Sequence, residues 1–424
     1  MINRPLNIGF ISTRFAGSDG VSLETKKWVE VLSDLGHNCF YFAGECDWEE
    51  DRRMVVPEAF YRHPEIKEKH DKFFCKKIRT TDETAWIKEK AQFLKQELIK
   101  FTDNFKIELI IPENALTIPL HIPLGLAITE LIAESGIPTI AHHHDFTWER
   151  KRFLVNCLQD YISMSFPPHL DVIQHVVINT HARQQLALRC GVGSMLIPNV
   201  MNYQQPPPGV DDYNSDLRTA LGLESEEIFV LQPTRIVERK GIEHAIELVH
   251  RLGKKARLIV SHAYGDEGED YAKRISSYAE LMGVNLICAE KYFDTQRGTN
   301  EKGEKVYSIW DAYIHADLVT YPSVFEGFGN AFLEAVYFRK PIVVNNYSIF
   351  STDIKPKGFD VIEFDDYVTE ETVRQTHTVI NDRTLATRMA NNNFELARKY
   401  FSYDMLRTKL KILLANAFGT NDIE

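Results

Sequence analysis

An α/β protein of two doubly wound domains is what this sequence predicts, on three observations. Short apolar runs alternate with helical periods through the first half, the same alternation restarts at Ile228, and a proline-rich stretch separates the two. Alternating strand and helix implies a mostly parallel sheet covered by helices on both faces. The 424 residues are too many for one ordinary core and suit two domains of about 200 residues each.

In chain order, strand-like runs fall at Leu6–Ile11, Cys39–Phe42, Leu109–Pro112, Thr139–His142 and Val176–Ile178. Helical periods between them include Leu23–Leu35 and Ala85–Phe101. The segment IPNVMNYQQPPPGVDDYN follows, and its Pro206–Pro208 run with Gly209 reads as a linker, because proline continues neither a helix nor a central strand. Domains are therefore expected at 1–205 and 215–400. The second opens with a strand at Ile228–Gln232, then a helix at Ile242–Leu252, a strand at Leu258–Ser261, a helix at Tyr271–Met282 and a strand at Leu286–Cys288. Ligands of open α/β sheets bind beyond the carboxyl ends of the strands, so two such domains are expected to face each other across a cleft.

Composition excludes several classes of function. Lys and Arg total 49 against 60 Asp and Glu, a net charge of -11. That balance argues against nucleic acid as a partner and gives no basis for broad docking on anionic lipid. The six cysteines (Cys39, Cys46, Cys75, Cys157, Cys190 and Cys288) show no C-x-x-C spacing and read as free, buried thiols of a reducing compartment. The N-terminus reads as a strand and not as a signal peptide. No apolar stretch approaches the ~20 residues of a membrane span. A cytoplasmic protein without integral membrane association is expected.

The most informative stretch is LVTYPSVFEGFGNAFLEAVYFRKPIVVNN. A run ending at Tyr321 leads into a loop with Glu326, Gly327 and Gly329, an amphipathic helix from Asn330 to Phe338 carrying Glu334, and a second run at Pro341–Val344. A glycine turn into a helix presents bare backbone N–H groups to an anion. Paired carboxylates also suggest a glycoside hydrolase, whose two groups sit about 5–10 Å apart across one bond. Eight residues of helix rise about 12 Å. With Glu326 before the helix and Glu334 on its third turn, the pair is better suited to gripping two ends of one elongated ligand.

The pattern EGFG-x4-E, with Tyr-Pro-Ser before it and Lys-Pro-Ile-Val-Val after it, resembles the signature of retaining glycosyltransferases of family 4. The resemblance covers nearly the whole chain. It implies the B-type architecture (GT-B), two Rossmann-like domains facing across a cleft, with a last helix, here 403–424, crossing back to the first domain. It implies that Glu326 meets the donor sugar hydroxyls and that Glu334 accepts from the ribose hydroxyls. Sugar and diphosphate would meet the turn at Phe328, Gly329 and Asn330.

Other constellations take their roles from the same resemblance. The first strand-helix turn, STRFAGSDGVSLETKKW, holds Gly17 and Gly20. It is no G-x-G-x-x-G fingerprint, so nicotinamide dinucleotide binding is not supported, and Ser22 reads as the helix N-cap. The resemblance makes Gly20 the point of close backbone approach to donor phosphate and acceptor. The run PTIAHHHDF puts His142 and His144 on one strand face and His143 on the other. Two ligands without an evident third make a poor zinc site, so no metal is assigned, and aligned by Pro138 the family's active-site histidine is His144. In LQPTRIVERKGIEHAIELV, Arg235 and Lys240 match the family's phosphate-binding pair, and fixed cations at a helix N-terminus suit a departing diphosphate. SHAYGDEGEDY departs from the family's turn, leaving His262 and Gly265 as weaker nucleotide contacts. Basic residues between Arg62 and Lys100, interleaved with acids, read as a solvated helical face, with an anion-binding lip as the minority alternative.

Within the family, RFAGSDGVSLETKKW, PENALTIPLHIPLGLA and AHHHDFTWERKRF resemble a subgroup that includes mannosylglucosyl-3-phosphoglycerate synthases. The expected reaction moves a hexose from a GDP-mannose- or UDP-glucose-type donor to a small hydroxyl acceptor, such as a glycoside or phosphoglycerate glycoside. No tightly bound cofactor and no strictly required metal are expected. The alternatives are a sugar-nucleotide 2-epimerase, a transferase building surface polysaccharide, and a binding protein that senses a sugar nucleotide.

Overall fold

The structure is a computed structural model, and it describes residues 4–17, 19–262 and 269–419. The chain forms two compact units, Met1–Asn199 with Tyr403–Glu424, and Val200–Ser402. The chain crosses between them at Asn199/Val200 and at Ser402/Tyr403, so the Pro206–Pro208 run lies inside the second unit.

Unit 1 is built on seven strands: β1 (Asn7–Ile11), β2 (Asn38–Ala43), β3 (Arg53–Val55), β4 (Leu109–Pro112), β5 (Thr139–His143), β6 (Ile173–Val177) and β7 (Ser194–Leu196). They pair in parallel in the order β3-β2-β1-β4-β5-β6-β7. Phe10, Ile11, Ile110, Ile111 and Ala141 are fully buried, the near-continuous apolar pattern of a sheet covered on both faces. Helix α1 (Gly20–Asp34) is capped by Asp19, whose Oδ1 accepts from the amides of Val21 and Ser22. That corrects the expectation for Ser22, which lies in the first turn and donates its hydroxyl to Asp19 Oδ2 at 2.8 Å. Helix α2 (Thr81–Phe105) starts from a Thr80–Glu83 capping box and packs on α3 (Ile122–Ser135). Helix α4 (Thr180–Cys190) is capped by Asn179.

Unit 2 repeats the plan with β8 (Ile228–Gln232), β9 (Ala256–Val260), β10 (Leu286–Cys288), β11 (Leu318–Tyr321), β12 (Ile342–Asn345) and β13 (Ile362–Phe364), parallel in the order β10-β9-β8-β11-β12-β13. Helix α5 (Ile242–Leu252) follows β8, and α6 (Asn330–Tyr337) follows β11. A three-stranded insertion over residues 293–308 was not foreseen. Its Arg297 binds the buried Asp311 at 2.5 Å and Asp211 at 2.6 Å, which anchors the polar stretch after Gly209. The final helix α7 (Tyr403–Phe418) belongs to unit 1. Tyr403 Oη donates to Glu30 at 2.6 Å, Arg407 pairs with Asp34 at 3.1 Å, and Leu406, Leu410 and Leu413 are buried.

Both sheets reverse their winding beside the first strand of the unit, between β1 and β4 and between β8 and β11. Ligands of doubly wound folds bind at such switch points. All six cysteines are free, but Cys75 and Cys288 are exposed and only Cys39 and Cys157 are buried. Lys72, Lys76, Arg79, Lys90, Lys95 and Lys100 each pair with a carboxylate, which favours the solvated-face reading of that segment.

Candidate active site

The unit 2 switch point is flanked by two loops, β8 to α5 and β11 to α6. Each ends in a left-handed or otherwise positive-φ glycine, and each choice is forced. Gly241 has φ +58, and a Cβ there would meet Pro322 O at 2.4 Å. Gly329 has φ +128, and a Cβ there would meet Tyr347 Oη at 2.7 Å. Both glycines are N-caps without a side-chain cap. Two helix N-termini therefore enter the same region without a side chain of their own to neutralise them, which favours a negatively charged ligand.

The cations sit with them. Lys240 and Glu326, both buried, form an ion pair, and Arg239 Nη1 approaches Glu326 Oε2 at 3.2 Å. Burial acting alone would raise the Glu326 carboxyl, but Lys240 and Arg239 outweigh it and hold it below the usual carboxylate range. Burial lowers the Lys240 ammonium, Arg239 and Arg235 add to that, and Glu326 opposes it. Arg235 is exposed; its carbonyl accepts from the Val237 amide at 3.0 Å, and among the described residues its side chain makes no ion pair. Its charge is nevertheless felt by Lys240 and by His262, whose imidazole is pushed down to about 4, mainly by burial. Gly265 lies outside the described residues.

Phe328 is buried, and its carbonyl accepts from Tyr347 Oη at 2.8 Å. Asn330 is the first residue of α6. Glu334 lies just over one turn into that helix, not on a third turn, because the helix starts only at Asn330. Its Oε2 accepts from the buried Tyr313 Oη at 2.8 Å. Gly20 is the first residue of α1 in unit 1.

In unit 1 the strand ends carry a different chemistry. Glu113 follows β4 and is fully buried. Its Oε2 lies 2.9 Å from His142 Nδ1 and 3.5 Å from His144 Nε2. His142 stacks on Trp28 with ring centroids 4.1 Å apart. His142 and His144 lie on one side with centroids 4.4 Å apart, and His143 turns away to Thr117 and to His175 Nδ1 at 2.9 Å. Burial pushes the Glu113 carboxyl up to about 7 and the His142 imidazole down to about 4, and it lowers His144 as well. The cluster is thus poised to be neutral.

Glu113, His142 and His144 place ligand atoms within 4.8 Å of one another, a set that could hold a metal ion. Glu113 is the third group that the sequence did not reveal. The 2.9 Å between Oε2 and His142 Nδ1 is a hydrogen-bond distance, shorter than the ~3.3 Å between ligands on a tetrahedral zinc with bonds near 2.0–2.1 Å. Sequence reasoning also missed Arg239 and Asn114. The signal for Glu113 and Asn114 was their position in PENAL, directly after a strand, and that for Arg239 was its place beside Lys240.

Two helix N-termini without side-chain caps, the buried Lys240, the half-buried Arg239 and a carboxylate at a switch point suit a diphosphate bearing a hydroxylated group, the donor of a nucleotide-sugar-dependent transferase. Comparison with known proteins agrees. Residues 214–396 match the family described as glycosyl transferases group 1. The mannosylglucosylglycerate synthase of Thermotoga maritima is 31% identical, with 95% of this chain and 98% of that protein covered. The protein of the same name from Petrotoga mobilis is 31% identical, with 84% and 86% covered. The crystal structure of Anabaena HepE in complex with UDP-glucose superposes with a TM-score of 0.66 at 13% identity, covering 97% of this chain and 100% of that one, a likeness of fold. The chain belongs to the group 1 glycosyl transferases.

Proposed function

We propose that the protein transfers mannose from a GDP-mannose-type donor to the hydroxyl of a glucosylglycerate-type acceptor, with retention at the anomeric carbon. The observation that carries this reading is the match, over nearly the full length of both chains, to a relative named for that product. In the proposed reaction the acceptor oxygen bonds to the sugar C1, the bond from C1 to the β-phosphate oxygen breaks, and the acceptor proton passes to the leaving phosphate. The attack comes from the face the phosphate leaves.

Arg235, Lys240 and the N-termini of α5 and α6 bind the diphosphate and stabilise the charge that grows on it. The amides of Phe328 and Gly329 and the side of Asn330 face the diphosphate and sugar. Glu326 receives sugar hydroxyls and, through its ion pair, fixes Lys240. Glu334, steadied by Tyr313, accepts from the ribose. Gly20 lets the acceptor-side backbone come close, and His144 of unit 1 supports the sugar as it becomes cationic. Protein cations take the place a divalent metal has in other transferases, so none is required. The free thiols fit a reducing cytoplasm. Among the described residues no helix is long and apolar enough to cross a membrane.

The test is a panel of GDP-mannose and UDP-glucose against glucosylglycerate, glucosyl-3-phosphoglycerate and no acceptor, with and without EDTA. Products are read by NMR. GDP-mannose with glucosylglycerate is expected to give an α-linked product at a rate unchanged by EDTA. A phosphorylated acceptor used in preference would replace the acceptor in this reading. Release of nucleotide with an epimerised free sugar, and no product that needs acceptor, would contradict it.

A further inference from the structure

Resting on the reading that His144 contacts the donor sugar, we infer that the turn Pro112-Glu113-Asn114 is a positioning device for that histidine. Asn114 holds its backbone, and Glu113 holds its ring together with that of His142.

The backbone part rests on Asn114. It adopts φ +54, a left-handed conformation that costs most residues roughly 1–2 kcal/mol and that asparagine tolerates best. In that conformation its amide donates to His142 O at 2.9 Å. Its Oδ1 accepts from the amides of His144 at 3.0 Å and Asp145 at 3.3 Å. Strand β5 ends at His143, so these two amides have left the ladder, and buried amides need a partner. One side chain supplies it and fixes where His144 begins.

The ring part rests on Glu113. Its own amide donates to Ile11 O at 2.8 Å, and its carbonyl accepts from Ser12 Oγ at 3.1 Å. The residue is thus pinned to β1 with its carboxyl between two imidazoles. The groups facing that carboxyl are His142 from β5, His144 just beyond its end, and Glu24 and Thr25 from α1; Glu24 is itself paired with Lys27 at 2.9 Å, and Asp145 acts on His144. Trp28 stacks on His142 and stops it from rotating away. Glu113 Oε2 hydrogen-bonds to His142 Nδ1 and lies 3.5 Å from His144 Nε2, a contact of charge and not a hydrogen bond, so the proton on Glu113 sets the charge beside that ring. Burial pushes the Glu113 carboxyl up to about 7, so kcat is expected to show a step there.

Four variants test this: His144→Ala, Asn114→Gly, Asn114→Asp and Glu113→Gln. Glycine keeps the left-handed backbone and removes the acceptor, and aspartate keeps both. Small misplacements of a positioned group cost up to about 100-fold, so Asn114→Gly should lower kcat by about 10-fold with donor KM within about twofold, and Asn114→Asp should restore most of it. Glu113→Gln should remove the step near pH 7. Unchanged GDP binding in each variant reports that unit 2 is intact, and should Glu113→Gln not fold, the Asn114 pair decides. If His144→Ala is inactive while Asn114→Gly and Glu113→Gln keep wild-type kcat and pH profile, the positioning role is wrong and the reading of His144 stands. If His144→Ala is fully active, the reading beneath it fails. Stoichiometric metal in the purified protein, lost in Glu113→Gln, would make the trio a metal site and overturn the inference.

Discussion

Units 1 and 2 share a winding but not a chemistry at the strand ends. At the switch point of unit 2 the side chains are charged, Lys240, Arg239 and Glu326, and the helices that enter there have no side-chain caps. At the strand ends of unit 1 the groups are imidazoles and a carboxyl held near neutrality by burial, and α1 and α4 are capped by Asp19 and Asn179. A side-chain cap spends the first amides of a helix; α5 and α6 lack one, although the Ile242 amide of α5 donates to Tyr271 Oη at 3.3 Å. The same strand order can therefore carry charged groups beside helices without side-chain caps in one place and a buried, near-neutral cluster of hydrogen-bonding groups in another, with the difference carried by a few loop residues.

The comparison breaks most visibly at the cations. Arg235→Ala should reduce kcat by about 100- to 1,000-fold, the scale for losing a group that stabilises developing charge, with no change in melting temperature because Arg235 is exposed. Lys240→Ala should match that loss and also destabilise the fold by about 3–5 kcal/mol, since Glu326 would be left as a buried, half-compensated charge. Equal melting curves for the two variants would refute the distinction.

Gly329→Ala comes next. The strained φ and the clash with Tyr347 together should cost about 2–3 kcal/mol, read by denaturant unfolding. Glu334→Gln is subtler, because the amide oxygen can still accept from Tyr313. Donor KM should rise by about 10-fold, the size of one charged hydrogen bond, with little change in stability. An unchanged KM would remove Glu334 from the ribose.

The smallest effect separates the units by pH. His121, His142 and His175 of unit 1 are held near about 4, and His143 well below its ordinary value, all by burial first. The unfolded chain binds their protons from about 6.5 downward while the folded chain does not, so stability falls as pH drops from about 6.5 to 4. Glu113 and Glu149, raised to about 7 by burial, act oppositely. The unfolded chain loses their protons first, so they cost stability as pH rises from about 4.5 to 7. The histidines outnumber the carboxyls, so acid should lower the melting temperature. Four of the five tryptophans, Trp28, Trp48, Trp86 and Trp148, lie in unit 1, so their fluorescence reports it. A melting temperature that rises toward pH 5 would contradict the balance.

Local signals carried far in this chain, and long-range ones did not. Ile228–Gln232 and Ile242–Leu252 have the bounds their apolar periods suggested, and the last helix, expected at 403–424 from the resemblance alone, runs Tyr403–Phe418. β6 starts at Ile173 rather than Val176, because Gln174 and His175 mask an inward-facing strand whose histidine finds its partner, His143, across the ladder. The insertion at 293–308 is short and polar, and its strands are fixed by Arg297 reaching Asp311 and Asp211, pairings that spacing does not reveal. The motif residues Glu326, Glu334 and Lys240 stand out because glycines and prolines frame them. Glu113 does not, since a lone glutamate after a strand becomes informative only when β4 and β5 bring it beside two histidines.

The central claim is that unit 2 alone seats the nucleotide diphosphate while His144 of unit 1 acts on the sugar. Calorimetric titration of GDP into the wild type, Arg235→Ala and His144→Ala tests it most directly. The account predicts that Arg235→Ala weakens GDP binding by about 10- to 100-fold, the worth of one or two charge-assisted hydrogen bonds, while His144→Ala binds GDP as the wild type does and loses turnover. GDP affinity lost in His144→Ala, or kept in Arg235→Ala, would contradict it.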